Sequence, residues 1–235
     1  MYQRQDICKI YREDYASQYE NLYLHPWPEK HRTNQININR ICSELGNSEL
    51  GNKHLSWLDL CCGQAWHFSN FPDIETKVGI DISSAQLQRA KNRNPNALFV
   101  EADILHVSFD ENCFDLVTSF WAAYCYLNSY KQIETLLDRA VSWTKIGGAL
   151  YFELLLAADL KTFNSSLYAQ QTGFSVIPRN PDFSEWSYQD SGGLHVMTSP
   201  PLDFFTSFLS KHFHRIEANH DAGFMMHLIA TNKKA

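Results

Sequence analysis

Three short apolar runs, each closed by a carboxylate, recur in the first half of the chain at nearly equal intervals. The first, Trp57-Leu58-Asp59-Leu60, turns at once into Cys61-Cys62-Gly63-Gln64-Ala65. The second closes Val78-Gly79-Ile80 with Asp81, and the third carries Leu98-Phe99-Val100 into Glu101-Ala102-Asp103. An open parallel sheet binds its ligands in the crevice outside the carboxyl ends of its strands. The pattern therefore points to a doubly wound α/β fold with a polar edge built for a ligand.

The rest of the chain keeps the same rhythm. Strands are expected at 55–61, 77–82, 97–101, 113–119 and 148–155, alternating with helices at about 66–70, 84–93, 129–143 and 157–169. Ser83 and Ser84 start the helix at 84–93, and Asn94-Pro95 stops it. Lys145-Ile146-Gly147-Gly148 reads as a helix exit and turn before the fifth strand. A helix at 201–211 and strands at 213–218 and 224–231 finish the chain, giving seven strands in all. Residues 170–200 interrupt the alternation with Pro178, Pro181, Gly192 and Gly193 among Phe174, Phe183, Trp186 and Tyr188, so an inserted loop or hairpin is expected there. Ahead of the core, Tyr11, Tyr15, Tyr19 and Tyr23 succeed one another at four-residue steps and predict a helix over residues 2–24. His25-Pro26-Trp27-Pro28 breaks it, and a second helix is expected at 30–45 with a stop at Gly46-Asn47.

Bulk properties exclude several function classes. A length of 235 residues suits one α/β domain with modest elaboration. Net charge is -6 with Lys and Arg scattered, so a nucleic-acid backbone would be repelled and no nucleic-acid partner is expected. The six cysteines form no CxxC pair and no metal-ligand rhythm with histidine, which suggests a reducing, cytoplasmic setting and no metal. The amino terminus lacks an apolar signal region, and no apolar run is long enough to span a bilayer, so no membrane association is expected.

The acids at the strand ends suggest a nucleoside. Gly63 lets the backbone approach a ligand with no Cβ between them. Asp81, ending the second strand, is placed to accept hydrogen bonds from ribose hydroxyls. Asp103, one strand further along the edge, is placed to accept from an exocyclic amine such as that of adenine. The competing structural reading makes each acid a cap on the next helix. Three acids at equivalent strand ends favour the nucleoside.

Taken together, these residues resemble the class I S-adenosylmethionine-dependent methyltransferases, whose first motif typically runs acid-x-Gly-x-Gly-x-Gly. The resemblance covers roughly Trp57 to Glu153. It extends to Val78–Asp81, Glu101-Ala102-Asp103, Phe114-Asp115-Leu116-Val117 and Gly147-Gly148-Ala149-Leu150. It implies a Rossmann-like, mostly parallel seven-stranded sheet with an antiparallel last strand, and S-adenosylmethionine as cofactor. It also implies a helical lid at 1–46, a cofactor-binding core at 55–157, a substrate-side insert at 170–200, and a carboxyl-terminal helix with two strands at 201–231. Cys61 and Ala65 stand where the family carries glycines. Both are small, so close approach survives, but positive φ is unfavourable for them and a stiffer loop is expected.

Carried over residue by residue, the resemblance assigns Asp59, Cys61, Gly63, Asp81, Ile82, Ala102, Asp103 and Ile104 to the cofactor. Family members often have a Tyr-rich first helix with an Ala-x-x-Tyr pattern that closes over the cofactor. Ala16 and Tyr19 match it, and Tyr15 or Tyr19 is expected near the sulfonium or carboxylate end, where aromatic faces attract a cation. After the fourth strand, Ser119, Phe120 and Tyr124, with Trp121, are expected to cover the adenine and line the acceptor pocket.

Methyl transfer is a displacement at a carbon already activated by sulfonium charge, so alignment supplies much of the rate. A base is needed only where the acceptor must lose a proton. Glu153, His195 and Tyr19 are the candidate catalytic groups, with His227 behind them; each alone is more often a structural residue. Glu153 interrupts the apolar run Tyr151-Phe152-x-Leu154-Leu155-Leu156, and a carboxylate there would favour an amine. The expected acceptor is a small molecule, leaning to nitrogen, with a small-metabolite oxygen as the alternative. Ser119-Phe120-Trp121-Ala122 stands where DNA amino-methyltransferases carry Asn/Asp-Pro-Pro-aromatic, which disfavours that branch. A nicotinamide oxidoreductase would need G-x-G-x-x-G after the first strand, and Cys61-Cys62-Gly63-Gln64-Ala65-Trp66 fits poorly. A non-catalytic binding subunit of the same fold is the remaining alternative, opposed by the intact Asp81 and Asp103.

Overall fold

The computed structural model describes residues 5–26, 28–46, 54–220 and 224–235. Its main sheet is built from β1 (Ser56–Leu60), β2 (Thr76–Asp81), β3 (Leu98–Glu101), β4 (Phe114–Ser119) and β5 (Thr144–Leu154). A small sheet comes next, from β6 (Ile177–Pro178), β7 (Glu185–Asp190) and β8 (Gly193–Thr198), and β9 (Phe213–His220) and β10 (Met226–Lys233) rejoin the main one. The helices are α1 (Gln5–Ile10), α2 (Glu13–Tyr19), α3 (Pro28–Gly46), α4 (Ser84–Arg93), α5 (Tyr130–Trp143), α6 (Ala157–Phe163), α7 (Leu167–Thr172) and α8 (Leu202–Leu209).

The seven strands lie in the order β3-β2-β1-β4-β5-β10-β9. The first five pair in parallel, and β10 runs antiparallel between β5 and β9. This is the doubly wound sheet that the acid-ended runs imply. Strand order reverses between β1 and β4, so the ligand crevice belongs at their carboxyl ends. The apolar runs are nearly continuous because successive side chains serve opposite faces. Leu58, Leu60, Val117, Leu150 and Phe152 pack on one side with Leu136 and Leu137 of α5 and Phe205 of α8. Trp57, Leu116, Ala149, Tyr151 and Ile229 pack on the other with Ile38 and Ile41 of α3.

Several boundaries differ from expectation, each for a local reason. The single helix expected over 2–24 is broken: Arg12 is extended, with φ -77° and ψ 175°, between α1 and α2, and Glu20–Leu24 widens into a π turn. The carbonyl of Tyr11, exposed by that break, accepts a hydrogen bond from Ser83 Oγ at 2.7 Å. Residues 2–4, Trp27 and Asn47 lie outside the described residues. The turn expected at 145–148 is instead part of β5, where the register with β4 shifts between Phe114 and Leu116. Gly147 takes φ 76° inside this bulge, so the chain bends without leaving the sheet. The helix expected at 157–169 divides into α6 and α7, because Asn164 turns its side chain to both backbone polar groups of Val176 and Ser166 caps a new start. The insert is a three-stranded antiparallel meander, β6-β7-β8.

Gly148 fixes the bulge. A Cβ there would stand 2.8 Å from the Lys145 carbonyl oxygen and 2.9 Å from that of Asp115, both backbone atoms. Gly148→Ala is expected to lower unfolding free energy by about 1–3 kcal/mol through overpacking, read as a lower urea midpoint with an unchanged slope.

Candidate active site

A cleft of about 1170 Å³, counting its mouth, opens at the carboxyl ends of β1, β2 and β4 under the amino-terminal helices. Its floor is the loop after β1. That loop holds positive φ at three alternate positions: Cys61 at 54°, Gly63 at 52° and Ala65 at 48°. The expectation that Cys61 and Ala65 would avoid this region is therefore corrected. Left-handed conformation costs a non-glycine residue on the order of 1–3 kcal/mol, and several bonds hold it in place. Cys62 N–H donates to Ile80 O at 2.8 Å, Gly63 N–H to Asp81 Oδ2 at 2.8 Å, and Asn94 Nδ2 to Ala65 O at 3.1 Å. Arg93 Nη1 donates to Gln64 O at 2.9 Å. A Cβ on Gly63 would meet nothing within 4 Å, so the space over it is open to a ligand.

Three acids face this cleft in different states. Asp81 accepts from Gly63 N–H and, at 2.9 Å, from Ser83 N–H, one bond at each oxygen. Burial raises its pKa against these bonds, and each oxygen keeps a lone pair for another donor. Asp103 accepts from Leu105 N–H at 2.8 Å and lies 3.2 Å from His106 Nδ1. Asp59 is the most withdrawn from water, and Thr118 Oγ1 donates to it at 2.6 Å. Burial is the main cause that pushes its pKa up to about 8, opposed by the Thr118 bond and reinforced by Asp81 and Glu153. Near neutral pH Asp59 thus holds a proton that a bound cation would displace.

The wall beyond β4 carries further strain. Trp121 and Ala122 are both left-handed, at φ 55° and 48°. Trp121 N–H donates to Glu153 Oε2 at 2.6 Å, and Lys30 Nζ lies 3.9 Å from the Trp121 ring centroid. Lys30 Nζ is also 2.7 Å from each Glu153 oxygen. Both charged groups are buried, so the pair is a closed unit that aims the indole into the cleft. His67, on the 3-10 turn Trp66–Asn70, lines the same wall. Burial, then the Lys30 charge, hold its pKa well below the usual range, so the ring is neutral.

A second cavity of about 610 Å³ adjoins the first and shares Tyr11, Tyr19, Trp121 and Tyr126 with it. Elsewhere its walls are Tyr23, Leu155, Leu160, Phe163, Phe174, Val176, Trp186, Tyr188, Met197, Phe224 and Met225. The amino-terminal helices reach the hairpin β7–β8 here. Tyr15 and Tyr23 each donate to Asp190 Oδ2 at 2.6 Å. Gly192, in the hairpin turn, permits the approach: a Cβ would stand 2.8 Å from Ile10 and 2.9 Å from the Tyr15 ring.

Residues 58–148 match the family model described as a methyltransferase domain. That match places a methyltransferase domain in the chain. Among solved structures, the PH0226 protein of Pyrococcus horikoshii is 17% identical, with 92% of this chain and 95% of that one covered and a TM-score of 0.68. A S-adenosylmethionine-dependent methyltransferase of Clostridium acetobutylicum is 15% identical, covering 93% and 97%, with a TM-score of 0.63. The sugar N-methyltransferase KedS8 of Streptoalloteichus is 13% identical, covering 83% and 86%, with a TM-score of 0.59. No curated protein matches the sequence. Among the described residues, no helix is long and apolar enough to cross a membrane.

Of the residues expected at the methyltransferase site, Tyr19, Asp59, Cys61, Gly63, Asp81, Ile82, Ala102, Asp103, Ile104, Phe120 and Tyr124 line the cleft. Tyr15, Ser119, Glu153 and His195 do not. Tyr15 is turned to Asp190, because four-residue steps drift around a helix and the break at Arg12 re-aims α2. Ser119 is buried at the end of β4. Glu153 is closed off by Lys30, and His195 is enclosed behind the second cavity, 2.8 Å from Asp190 and 2.6 Å from Tyr126. Gln64, Trp66, His67 and Tyr126 line the cleft without having been singled out from the sequence. The first three lie within four residues of Gly63, and that adjacency was the available signal.

Asp59 gives a signed prediction. Its folded pKa, about 8, exceeds the unfolded value of about 3.9. The folded state therefore binds the extra proton, and stability falls as pH rises between those values. Asp59→Asn lacks this loss. Its unfolding free energy should gain on the wild type by up to about 1.4 kcal/mol per pH unit in that window and level off above pH 8, measured by urea denaturation across pH. Lys30→Met, which strands the Glu153 carboxylate, should cost about 3–5 kcal/mol. Adding Glu153→Gln should recover part of that loss, read from urea midpoints of both variants.

Proposed function

We propose that this methyltransferase moves a methyl group from S-adenosylmethionine to a nitrogen on a small molecule seated in the second cavity. The observation that carries the reading is the direct junction of the two cavities at Tyr11, Tyr19, Trp121 and Tyr126. The cofactor supplies a methyl group on a positively charged sulfur. The open space over Gly63, the two spare lone pairs of Asp81 and the protonated Asp59 all fit such a group. In this reading Asp81 takes the ribose hydroxyls, Asp103 the adenine amine and Asp59 a cationic end. Phe120 and Tyr124 enclose the base, and Tyr19 and Trp121 offer ring faces to the sulfonium. The amino-terminal helices act as the lid and residues 170–200 as the acceptor-side wall.

Glu153 no longer argues for an amine, since its charge is matched by Lys30. Support for nitrogen comes instead from the ring-lined second cavity, whose aromatic faces suit an amine, and from KedS8, described as a sugar N-methyltransferase. Transfer to oxygen is the second reading. It is favoured by the apolar lining, which gives the many hydroxyls of a sugar few partners.

Calorimetry with S-adenosylmethionine and S-adenosylhomocysteine tests the cofactor reading. Both should bind, and below pH 8 S-adenosylmethionine should release a proton from Asp59, seen as a heat that depends on the buffer's ionisation enthalpy. Asp81→Ala should weaken binding by about 1–3 kcal/mol. Unchanged affinity in that variant would place the ribose elsewhere.

A further inference from the structure

The hydrogen bonds behind the second cavity form a continuous chain from Asp190 to Tyr11. Asp190 Oδ1 accepts from Gly192 N–H and His195 Nε2, both at 2.8 Å, while Oδ2 accepts from Tyr15 and Tyr23. Burial opposes the charge, but the His195, Tyr15 and Tyr23 bonds, with the attraction of a protonated His195, outweigh it and hold Asp190 at about 2, so it is ionised and ready to pair with an imidazolium. His195 therefore presents Nε2–H to Asp190, and in the neutral ring Nδ1 carries a lone pair. Tyr126 Oη lies 2.6 Å from Nδ1, and toward the neutral ring it donates its proton there. With that proton committed, the Tyr126 oxygen can only accept, so Tyr11 donates to it at 2.9 Å and Tyr188 at 3.0 Å. The Tyr11 oxygen keeps its lone pairs, and Tyr11 lines both cavities where they meet.

We propose that Tyr11, Tyr126 and His195 form a proton relay that takes a proton from the acceptor's ammonium N–H, or from its acidic O–H group, at the junction of the two cavities. The proposal rests on reading the second cavity as the acceptor site. Three protons each move one place: the acceptor's to Tyr11 Oη, that of Tyr11 to Tyr126 Oη, and that of Tyr126 to His195 Nδ1. The electron pair of the broken N–H or O–H bond stays on the acceptor atom, and the imidazolium formed is paired with Asp190. No phenolate is needed, which agrees with burial pushing both tyrosine hydroxyls upward. Tyr11 is the group that touches the acceptor; Tyr126, His195 and Asp190 act through it.

The surroundings of His195 support a transfer role over a clasp. Its ring is fully buried and stacks on Tyr188 with centroids 4.1 Å apart and planes 9° from parallel. The ring edge of Tyr11, the tilted ring of Tyr15 and the Tyr126 hydroxyl face it from the amino-terminal helices and from the turn after β4. Asp190 is the charged group among these neighbours. Tyr15 and Tyr23 already fasten the lid to Asp190 directly, so the path through His195 and Tyr126 adds a connection to the cavity junction that fastening does not require.

The probe is 4-nitrophenol, whose phenolate is yellow, titrated into the full chain saturated with S-adenosylhomocysteine. In the wild type the bound probe should ionise at lower pH than the free probe, because its proton is received at His195. His195→Asn keeps an acceptor near Nδ1 but cannot take up a proton, and Tyr126→Phe cuts the path. In both variants the bound probe should ionise at higher pH than the free one, as burial in apolar walls dictates. S-adenosylhomocysteine affinity is the folding control, and if His195→Asn loses it, Tyr126→Phe decides. A bound probe that titrates identically in wild type and variants overturns the relay and leaves the acceptor site standing. Failure of the probe to bind the loaded wild type overturns both.

Discussion

Four carboxylates, three on the main sheet and one at the end of β7 in the small sheet, are drawn out of water around the two cavities, and the rest of the site is arranged by how each is compensated. Charge in a poorly solvated position must be neutralised, paired or supplied with donors. Asp59 is neutralised by a proton, Glu153 is paired with Lys30, and Asp81 and Asp190 are supplied with N–H and O–H donors. Each solution fixes a different piece of the molecule. The Asp81 bonds set the loop after β1, the Glu153 pair sets Trp121, and the Asp190 bonds seat the lid on the hairpin. Asp59 alone among the four is compensated chiefly by a proton, and it faces the cleft.

The same logic explains where backbone strain collects. Cys61, Ala65, Trp121 and Ala122 are left-handed without glycine's freedom, and all lie at the two strand ends flanking the switch point. The first loop keeps its left-handed positions at Cys61 and Ala65 because Asp81, Arg93 and Asn94 hold it from outside. A sequence motif read by glycine count underestimates such a loop, since conformation is dictated by the bonds around it as well as by local freedom. At Trp121 the strain turns a large ring into the wall shared by both cavities, and a buried ion pair keeps it there.

The main sheet was legible because its signals are local. Apolar runs, caps such as Ser83 and stops such as Asn94-Pro95 report on their own segments, and strand order is constrained by right-handed crossovers. The acids of the cleft were legible for the same reason, as Asp59, Asp81 and Asp103 sit at strand ends that can be counted along the chain. What escaped was set by distant partners. Nothing near Glu153 in sequence announces Lys30, 123 residues away, and nothing near Tyr15 announces Asp190, 175 residues away. The continuous form of β5 escaped similarly, because Gly147-Gly148 suits a bulge and a turn equally and only pairing with β4 selects the bulge.

The lid and the hairpin are best understood as one structural unit. Neither presents a complete apolar face: the small sheet leaves Trp186 and Tyr188 to be covered, and α2 carries tyrosines whose hydroxyls need partners in a buried setting. Brought together, they satisfy one another, and the second cavity is the space left between their rings. Its shape therefore depends on two segments far apart in sequence that meet through Asp190. That wall is continuous with the main core, since Leu155, Leu160, Phe163, Trp186, Tyr188 and Met197 pack in the same cluster as Phe152 and Leu154 of β5. The lining of the second cavity is thus set by residues that only long-range packing brings together, and these are the ones least readable from sequence order.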